Sequence, residues 1–112
     1  ELPVWSGNDD LTVPLLSLGA KGVISVLSNV RPKRTLQMVR ACQAGDYAAA
    51  GRMQVALTPL IDALFSEINP IPVKQALSLM GILAGLPRLP LTPLSATHLP
   101  ALEQALSAAP EP

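Results

Sequence analysis

Short apolar runs alternate with a helical pattern along the first 45 residues of the chain. Residues 2–6 form an apolar run that ends at Gly7, and the β-branched run at residues 22–26 is bounded by glycine, so both predict buried strands. Between them, leucines at positions 11, 15, 16 and 18 fall largely on one face of a helix that ends at Gly19. A further helix is expected over residues 32–44. This order predicts a right-handed strand–helix–strand crossover.

The chain after Gly45 has a wholly helical pattern. An apolar stripe predicts a helix over residues 47–65, with a kink at Pro59. A second helix is expected over residues 73–83, entered through the prolines at 70 and 72, and a third over residues 95–108, with Ser95 as its N-cap. Residues 110–112 are expected to form a frayed tail.

Two parallel strands do not make a stable sheet alone, because both edges stay unpaired. The chain also starts at Glu1, without an initiator methionine and inside the first predicted strand, so a cut within a larger fold is expected. The pattern therefore predicts an α/β protein: the carboxyl-terminal fragment of a (β/α)8 TIM barrel, followed by a three-helix domain. The last two strand–helix units would be residues 1–45, and the helical domain residues 46–112.

Composition and charge narrow the classes of function. Lys and Arg total 8, Asp and Glu total 8, and the net charge of zero argues against a nucleic-acid or anionic-membrane partner. No apolar run reaches the ~20 residues that span a bilayer. The single cysteine, Cys42, forms no internal disulfide, so a cytoplasmic setting is expected. With 49% apolar and 14% charged residues, the chain is expected to expose surface that something else normally covers.

In a barrel of this kind, chemistry takes place where strands end and loops begin, here at residues 6–10 and 26–29. Gly7 either lets a ligand approach the backbone or serves a tight turn. A nucleophilic lysine must be desolvated or placed near cations, so that its pKa falls. Lys21 precedes its strand, Lys33 lies among arginines at a helix start, and Lys74 begins a helix, so none of the three is expected to be a nucleophile.

Other polar residues have structural explanations that compete with chemical ones. Asp9 and Asp10 are interpreted as helix caps rather than metal ligands or acid–base groups, and no metal site is expected. The only histidine, His98, is interpreted as solvent-facing, and Cys42 as a buried structural thiol. Asn69 could fix its loop through side-chain-to-backbone hydrogen bonds. The basic residues Arg31, Lys33, Arg34 and Arg40 could hold an anion, but a solvated helix face is preferred.

Several motifs resemble the dihydrodipicolinate synthase family in order and spacing, over almost the whole chain. They are Trp5-Ser6-Gly7-Asn8-Asp9-Asp10, Gly19-Ala20-Lys21-Gly22-Val23-Ile24-Ser25-Val26, Asn29-Val30, Asn69-Pro70-Ile71-Pro72-Val73-Lys74 and Arg88-Leu89-Pro90-Leu91-Thr92-Pro93-Leu94. The resemblance implies a class I aldolase-type lyase. In this chemistry a lysine condenses with pyruvate to a Schiff base and enamine, which attacks aspartate semialdehyde on the route to lysine. No separate cofactor is implied.

The resemblance also implies roles for particular residues. Gly7 would line the pyruvate pocket, and the backbone carbonyl of Ile24 would face the ammonium group of the catalytic lysine. Asn29 and Asn69 are expected to be structural residues near the site. The catalytic lysine, a tyrosine and paired threonines are expected upstream of Glu1, so no catalytic residue is expected in this chain. The chain alone is then expected to be inactive and to need an amino-terminal barrel half.

Subunit contacts in this family involve the helix after the Gly7 loop. Leu11, Leu15 and Leu18 are therefore interface candidates in a homo-oligomer, a tetramer or a dimer. Two sister enzymes with the same barrel and lysine remain alternatives: N-acetylneuraminate lyase and 2-keto-3-deoxy acid aldolase. A non-catalytic assembly module is an alternative from another class.

Overall fold

Helices dominate the computed structural model of the chain, which describes residues 2–82 and 85–112. A 3-10 turn at Asp9–Leu11 leads into α1, Thr12–Ser17, and a second 3-10 turn at Leu27–Asn29 precedes α2, Pro32–Gln43. The longest helix is α3, Tyr47–Leu64, followed by α4, Ile71–Leu79, and α5, Leu99–Ala108. None of the helices in the described ranges is long and apolar enough to cross a membrane.

The two predicted strands pair as a single parallel bridge between Ser6 and Val23. Three backbone hydrogen bonds hold this pairing: from the Lys21 N–H to the Val4 carbonyl (2.8 Å), from Ser6 to Gly22 (2.9 Å) and from Ile24 to Ser6 (2.8 Å). The predicted direction of pairing is therefore confirmed. Within the described residues, the two segments form this one bridge and not strands of the predicted length. This is expected for two extended segments without neighbours on either edge.

The helix predictions are confirmed for α2 and α3 to within one residue at either end. The carboxylate of Asp46 caps α3 by accepting a hydrogen bond from the Ala49 N–H at 2.9 Å, and Pro59 lies inside this helix. Two helix starts were predicted wrongly. Helix α4 begins at Ile71, two residues before the predicted start. The first turn of a helix tolerates a proline at its second position, because the N–H that proline lacks would have no partner within the helix there. Helix α4 also ends at Leu79, before the predicted end at residue 83, which lies outside the described ranges.

Helix α5 begins at Leu99, four residues after the predicted cap, Ser95. The Ser95 hydroxyl and N–H instead donate to the Glu67 carboxylate, at 2.5 and 3.0 Å. His98 Nδ1 lies 2.8 Å from the same carboxylate oxygen, so these contacts join the segment after α3 to the start of α5. Hydrogen bonds from Ser95 and His98 lower the pKa of Glu67 to about 2. His98 is partly exposed, as predicted.

One hydrophobic core crosses the predicted domain boundary at residue 45. Met38 from α2 is buried together with Leu60 and Leu64 from α3 and Leu102 from α5. A smaller cluster contains Leu16, Cys42 and Ala50, so Cys42 is buried as predicted, and burial raises the pKa of its thiol. The core thus joins the two parts tightly, and the division at residue 45 stays a prediction.

The basic residues at the start of α2 were predicted as a solvated helix face, and for Arg31 this is wrong. Arg31 is 6% exposed. Its guanidinium donates to the carbonyls of Ala109, Leu106 (2.7 Å) and Val30 (2.7 Å). It therefore caps the carboxyl end of α5, where a cation also complements the helix dipole. Burial lowers the pKa of Arg31, and the nearby Glu111 carboxylate opposes this effect.

The last residues of the chain lie against the start of α2 and are not a frayed tail. Arg34 Nε donates to the Pro110 carbonyl (2.5 Å), and Lys33 Nζ donates to the Pro112 carbonyl (3.0 Å). The Lys33 N–H donates to the Glu111 carboxylate (2.5 Å). Arg31, Lys33 and Arg34 thus bind the chain's own carboxyl-terminal segment, whereas Arg40 is exposed, as predicted.

We expect Arg31→Ala to lower the free energy of unfolding by about 2–4 kcal/mol, because it leaves buried carbonyls at the end of α5 without a donor. Arg34→Ala is the matched control, since it removes one contact at a less buried position and should cost less than about 1 kcal/mol. Urea unfolding followed by circular dichroism measures both. Equal losses for the two variants would contradict the role assigned to Arg31.

Candidate functional site

The carboxyl ends of the two extended segments meet beside Gly7 and Ile24. Gly7 is exposed, and a Cβ atom added to it would meet no atom within 4 Å. The Ile24 N–H donates to the Ser6 carbonyl, while the Ile24 carbonyl accepts no hydrogen bond from any residue that the structure describes. A backbone acceptor and an open glycine thus lie on two adjacent segments, at the edge where parallel barrels place their active sites.

Asp9 is the most buried charged residue at this edge, at 1% exposed. One of its carboxylate oxygens accepts a hydrogen bond from the Ser25 hydroxyl. The other accepts from the N–H groups of Val26 and Leu27, each at 2.9 Å. The prediction that Asp9 caps its own helix is therefore wrong: it satisfies the start of the second 3-10 turn, which lies 18 residues further along the chain.

The backbone of Asp9 is held as firmly as its side chain. Its carbonyl accepts hydrogen bonds from the Thr12 hydroxyl (2.9 Å) and from Gln54 Nε2 (3.0 Å), a buried side chain on α3. Gln54 Oε1 also accepts from the Val13 N–H (3.3 Å) in the first turn of α1. Sequence reasoning missed Gln54, because a glutamine within an apolar helical stripe carries no signal of its distant partners.

Serine and asparagine side chains fix the two loops at the site edge. The Ser6 hydroxyl donates to the Asn8 carbonyl at 2.7 Å. The Ser25 hydroxyl accepts from the Ser28 N–H at 2.8 Å, and the Asn29 side-chain amide donates to the Val26 carbonyl at 3.0 Å. Local bonds of this kind hold irregular backbone in one conformation. The structure thus places Asn29 in the loop that follows Ile24.

Asn69, Asp10 and the lysines lie outside this network. Asn69 is exposed and is joined to Pro70 by a cis peptide bond, and its role near the site stays a prediction. Asp10 is exposed. Lys21 lies at the amino end of the paired segments, opposite Gly7, and Lys33 contacts the carboxyl-terminal residue. Lys74 lies within α4. Within the described ranges, no group of three or more acidic, histidine or cysteine side chains could hold a metal ion.

Large apolar side chains are exposed around the paired segments. Leu18 is 84% and Ile24 74% exposed, and Leu2, Val4 and Trp5 are exposed beside them. A cavity of about 290 Å³ lies between residues 2–4 and the end of α1, and another of about 290 Å³ lies between Trp5 and α2. Contiguous apolar surface of this kind is typical of an interface, which supports the prediction made from composition.

Comparison with known proteins is consistent with this geometry. The model of the dihydrodipicolinate synthetase family matches residues 1–109. The 4-hydroxy-tetrahydrodipicolinate synthase of Exiguobacterium sp. is 53% identical over 94 residues, which are 84% of this chain and 32% of that protein. The synthase of Methanocaldococcus jannaschii is 48% identical over 106 residues, 95% of this chain and 37% of that protein.

A solved structure agrees with the sequence comparison. The crystal structure of dihydrodipicolinate synthase from Thermotoga maritima superposes with a TM-score of 0.91 at 46% identity, over 94% of this chain and 36% of that one. The chain belongs to the dihydrodipicolinate synthase family, whose members have a TIM-barrel fold. It spans about a third of the length of the curated relatives that it matches.

Proposed function

We propose that this chain supplies the carboxyl-terminal part of an enzyme that condenses pyruvate with aspartate semialdehyde in lysine biosynthesis. The observation that carries the proposal is the open edge at Gly7 and Ile24, where an unhindered glycine lies beside a backbone carbonyl without a hydrogen-bond partner among the described residues. Identities of 46–53% to proteins named as synthases favour this activity over the sister lyases and aldolases. A cytoplasmic location is part of the same proposal.

In this proposal, residues 1–45 provide the last two strand–helix units of the barrel, and residues 46–112 the helical domain beside it. The parallel bridge between Ser6 and Val23 and the exposed apolar surface around it support this division of roles, because a barrel strand needs a partner on each side. The amino-terminal barrel half would cover the exposed residues of the paired segments themselves, which are Leu2, Val4, Trp5 and Ile24.

The chain contributes main-chain atoms and shape to the chemistry. The lysine that forms the Schiff base is supplied by the preceding part of the barrel, and its amine condenses with the ketone of pyruvate, releasing one water. Gly7 leaves room for pyruvate, and the Ile24 carbonyl accepts a hydrogen bond from the lysine ammonium group. No cofactor takes part, since the lysine itself carries the substrate.

A chimaera tests the proposal directly. Residues 1–112 replace the matching 36% of the Thermotoga maritima relative, and the product is incubated with pyruvate and sodium borohydride, which reduces an imine to a stable secondary amine. We expect peptide mass spectrometry to find the adduct on a lysine outside residues 1–112, and the chimaera to condense pyruvate with aspartate semialdehyde. The isolated chain and the truncated relative are controls that should form no adduct. An adduct on Lys21, Lys33 or Lys74 would contradict the proposal.

Gly7→Ala in this chimaera should lower kcat/KM for pyruvate by about tenfold or more, because one methyl group in a tight substrate pocket costs about 1–3 kcal/mol. The fold should be unaffected, since the added Cβ meets no atom within 4 Å. Gly51→Ala is the matched control, because its Cβ also meets no atom within 4 Å and it lies inside α3. The two variants should have the same circular dichroism spectrum, and equal kinetics would count against the pocket role of Gly7.

The exposed leucines of the α1 region are proposed as a contact between subunits. Leu11 and Leu18 are exposed and Leu15 is half-buried, so a second copy of the enzyme can bury them. We expect Leu18→Asp to reduce the size of the oligomer formed by the chimaera, measured by light scattering. Val55→Asp on α3 is the control, at another exposed apolar residue. An unchanged oligomer size for Leu18→Asp would argue against this interface.

A further inference from the structure

We propose that Asp9 is a positioning residue, which holds the Ile24 carbonyl where the Schiff-base lysine meets it. The inference rests on the proposed function, and it adds a residue that contributes through its side chain, whereas Gly7 and Ile24 contribute through main-chain atoms. Asp9 does so through the loop at residues 25–27 and without touching the substrate.

The hydrogen bonds of Asp9 converge on the residues that directly follow Ile24. Its carboxylate accepts from the Ser25 hydroxyl and from the N–H groups of Val26 and Leu27. The Ile24 carbonyl belongs to the peptide unit that joins Ile24 to Ser25. Fixing Ser25 and Val26 therefore fixes the direction in which this carbonyl points.

The preceding peptide unit, which joins Val23 to Ile24, is held by the parallel pairing. The Ile24 N–H donates to the Ser6 carbonyl at 2.8 Å, and Ser6 lies three residues before Asp9. The segment that carries Gly7 thus holds the chain on both sides of Ile24. One backbone hydrogen bond holds the Ile24 N–H, and three hydrogen bonds to the Asp9 carboxylate hold residues 25–27.

A carboxylate accepts all three of these hydrogen bonds at once. Both oxygens of an ionised carboxylate accept hydrogen bonds, whereas an asparagine amide offers one acceptor and one donor. An asparagine at position 9 keeps the two backbone N–H bonds only when its NH₂ group faces Ser25, whose hydroxyl must then accept instead of donate. The Ser25 hydroxyl already accepts from the Ser28 N–H, so in an Asp9→Asn variant its own proton loses its acceptor, and the loop must move to restore one.

Asp9 is itself immobilised by the helical part of the chain. Its carbonyl accepts from Gln54 Nε2 on α3 and from the Thr12 hydroxyl. The position of the site loop is therefore set by α3, at a residue 45 positions further along the chain. Through Gln54 and Asp9, the helical domain contributes to the geometry of the site.

The experiment measures the rate at which the chimaera forms the borohydride-trapped adduct at saturating pyruvate. We expect Asp9→Asn to lower this rate roughly 10- to 100-fold, the range that a displacement of about 1 Å costs an oriented reaction. The pyruvate KM should change little, because the pocket at Gly7 keeps its shape. Asp46→Asn is the matched control: the same substitution at a carboxylate that accepts one backbone N–H, at the start of α3, should leave the rate unchanged.

The outcomes test the positioning role of Asp9 and the proposed function separately. Equal trapping rates for Asp9→Asn and Asp46→Asn would overturn the positioning role while leaving the proposed function intact. Absence of an adduct in the unsubstituted chimaera would overturn the proposed function, and this inference with it. If Asp9→Asn does not fold, Ser25→Ala takes its place, because it removes one hydrogen bond to Asp9 and keeps the charge. A smaller loss of rate is then expected, and no loss would overturn the role.

Discussion

The arrangement of the site edge depends on burying one carboxylate, that of Asp9. An ionised carboxylate is stable away from water only when hydrogen-bond donors surround it, because unpaired buried charge is very costly. Here the donors are one hydroxyl and two backbone N–H groups that come from a loop far along the chain. The N–H groups also require the carboxylate, since those at the start of the 3-10 turn at Leu27–Asn29 have no acceptor within the turn. Mutual satisfaction locks the two loops into one unit.

A second buried charge plays the same part away from this edge. Arg31 satisfies carbonyls at the end of α5 as Asp9 satisfies N–H groups at the start of a turn. In each case a charged side chain from the first 45 residues satisfies backbone groups at a helical end whose own cap residue makes no side-chain hydrogen bond. The contacts of Arg31 with the end of α5 and of Gln54 with the Asp9 carbonyl also join the two parts of the chain, beside the common core around Met38 and Leu60.

The apolar surface around the paired segments has a simple physical origin. Two parallel segments bury their side chains on both faces only when neighbouring strands and helices lie beside them. This chain covers about a third of the length of its relatives, and Leu2, Val4 and Ile24 are exposed along the pairing. The chain thus combines a well-packed helical core with exposed apolar surface, and further elements of a barrel are proposed to cover that surface in the larger enzyme.

Local signals in the sequence were enough to define most helices, the parallel pairing and the family. Glycine and proline positions marked most element ends, and the motif around Gly7 carried the resemblance. Only the folded chain shows the roles of Asp9, Gln54, Arg31 and Ser95. Their partners lie 18, 45, 78 and 28 residues away in the sequence, respectively. The sequence around a polar residue does not show whether that residue caps its own helix or a distant one. Burial and long-range hydrogen bonding exist only once the helices have packed, so no local pattern could assign these roles.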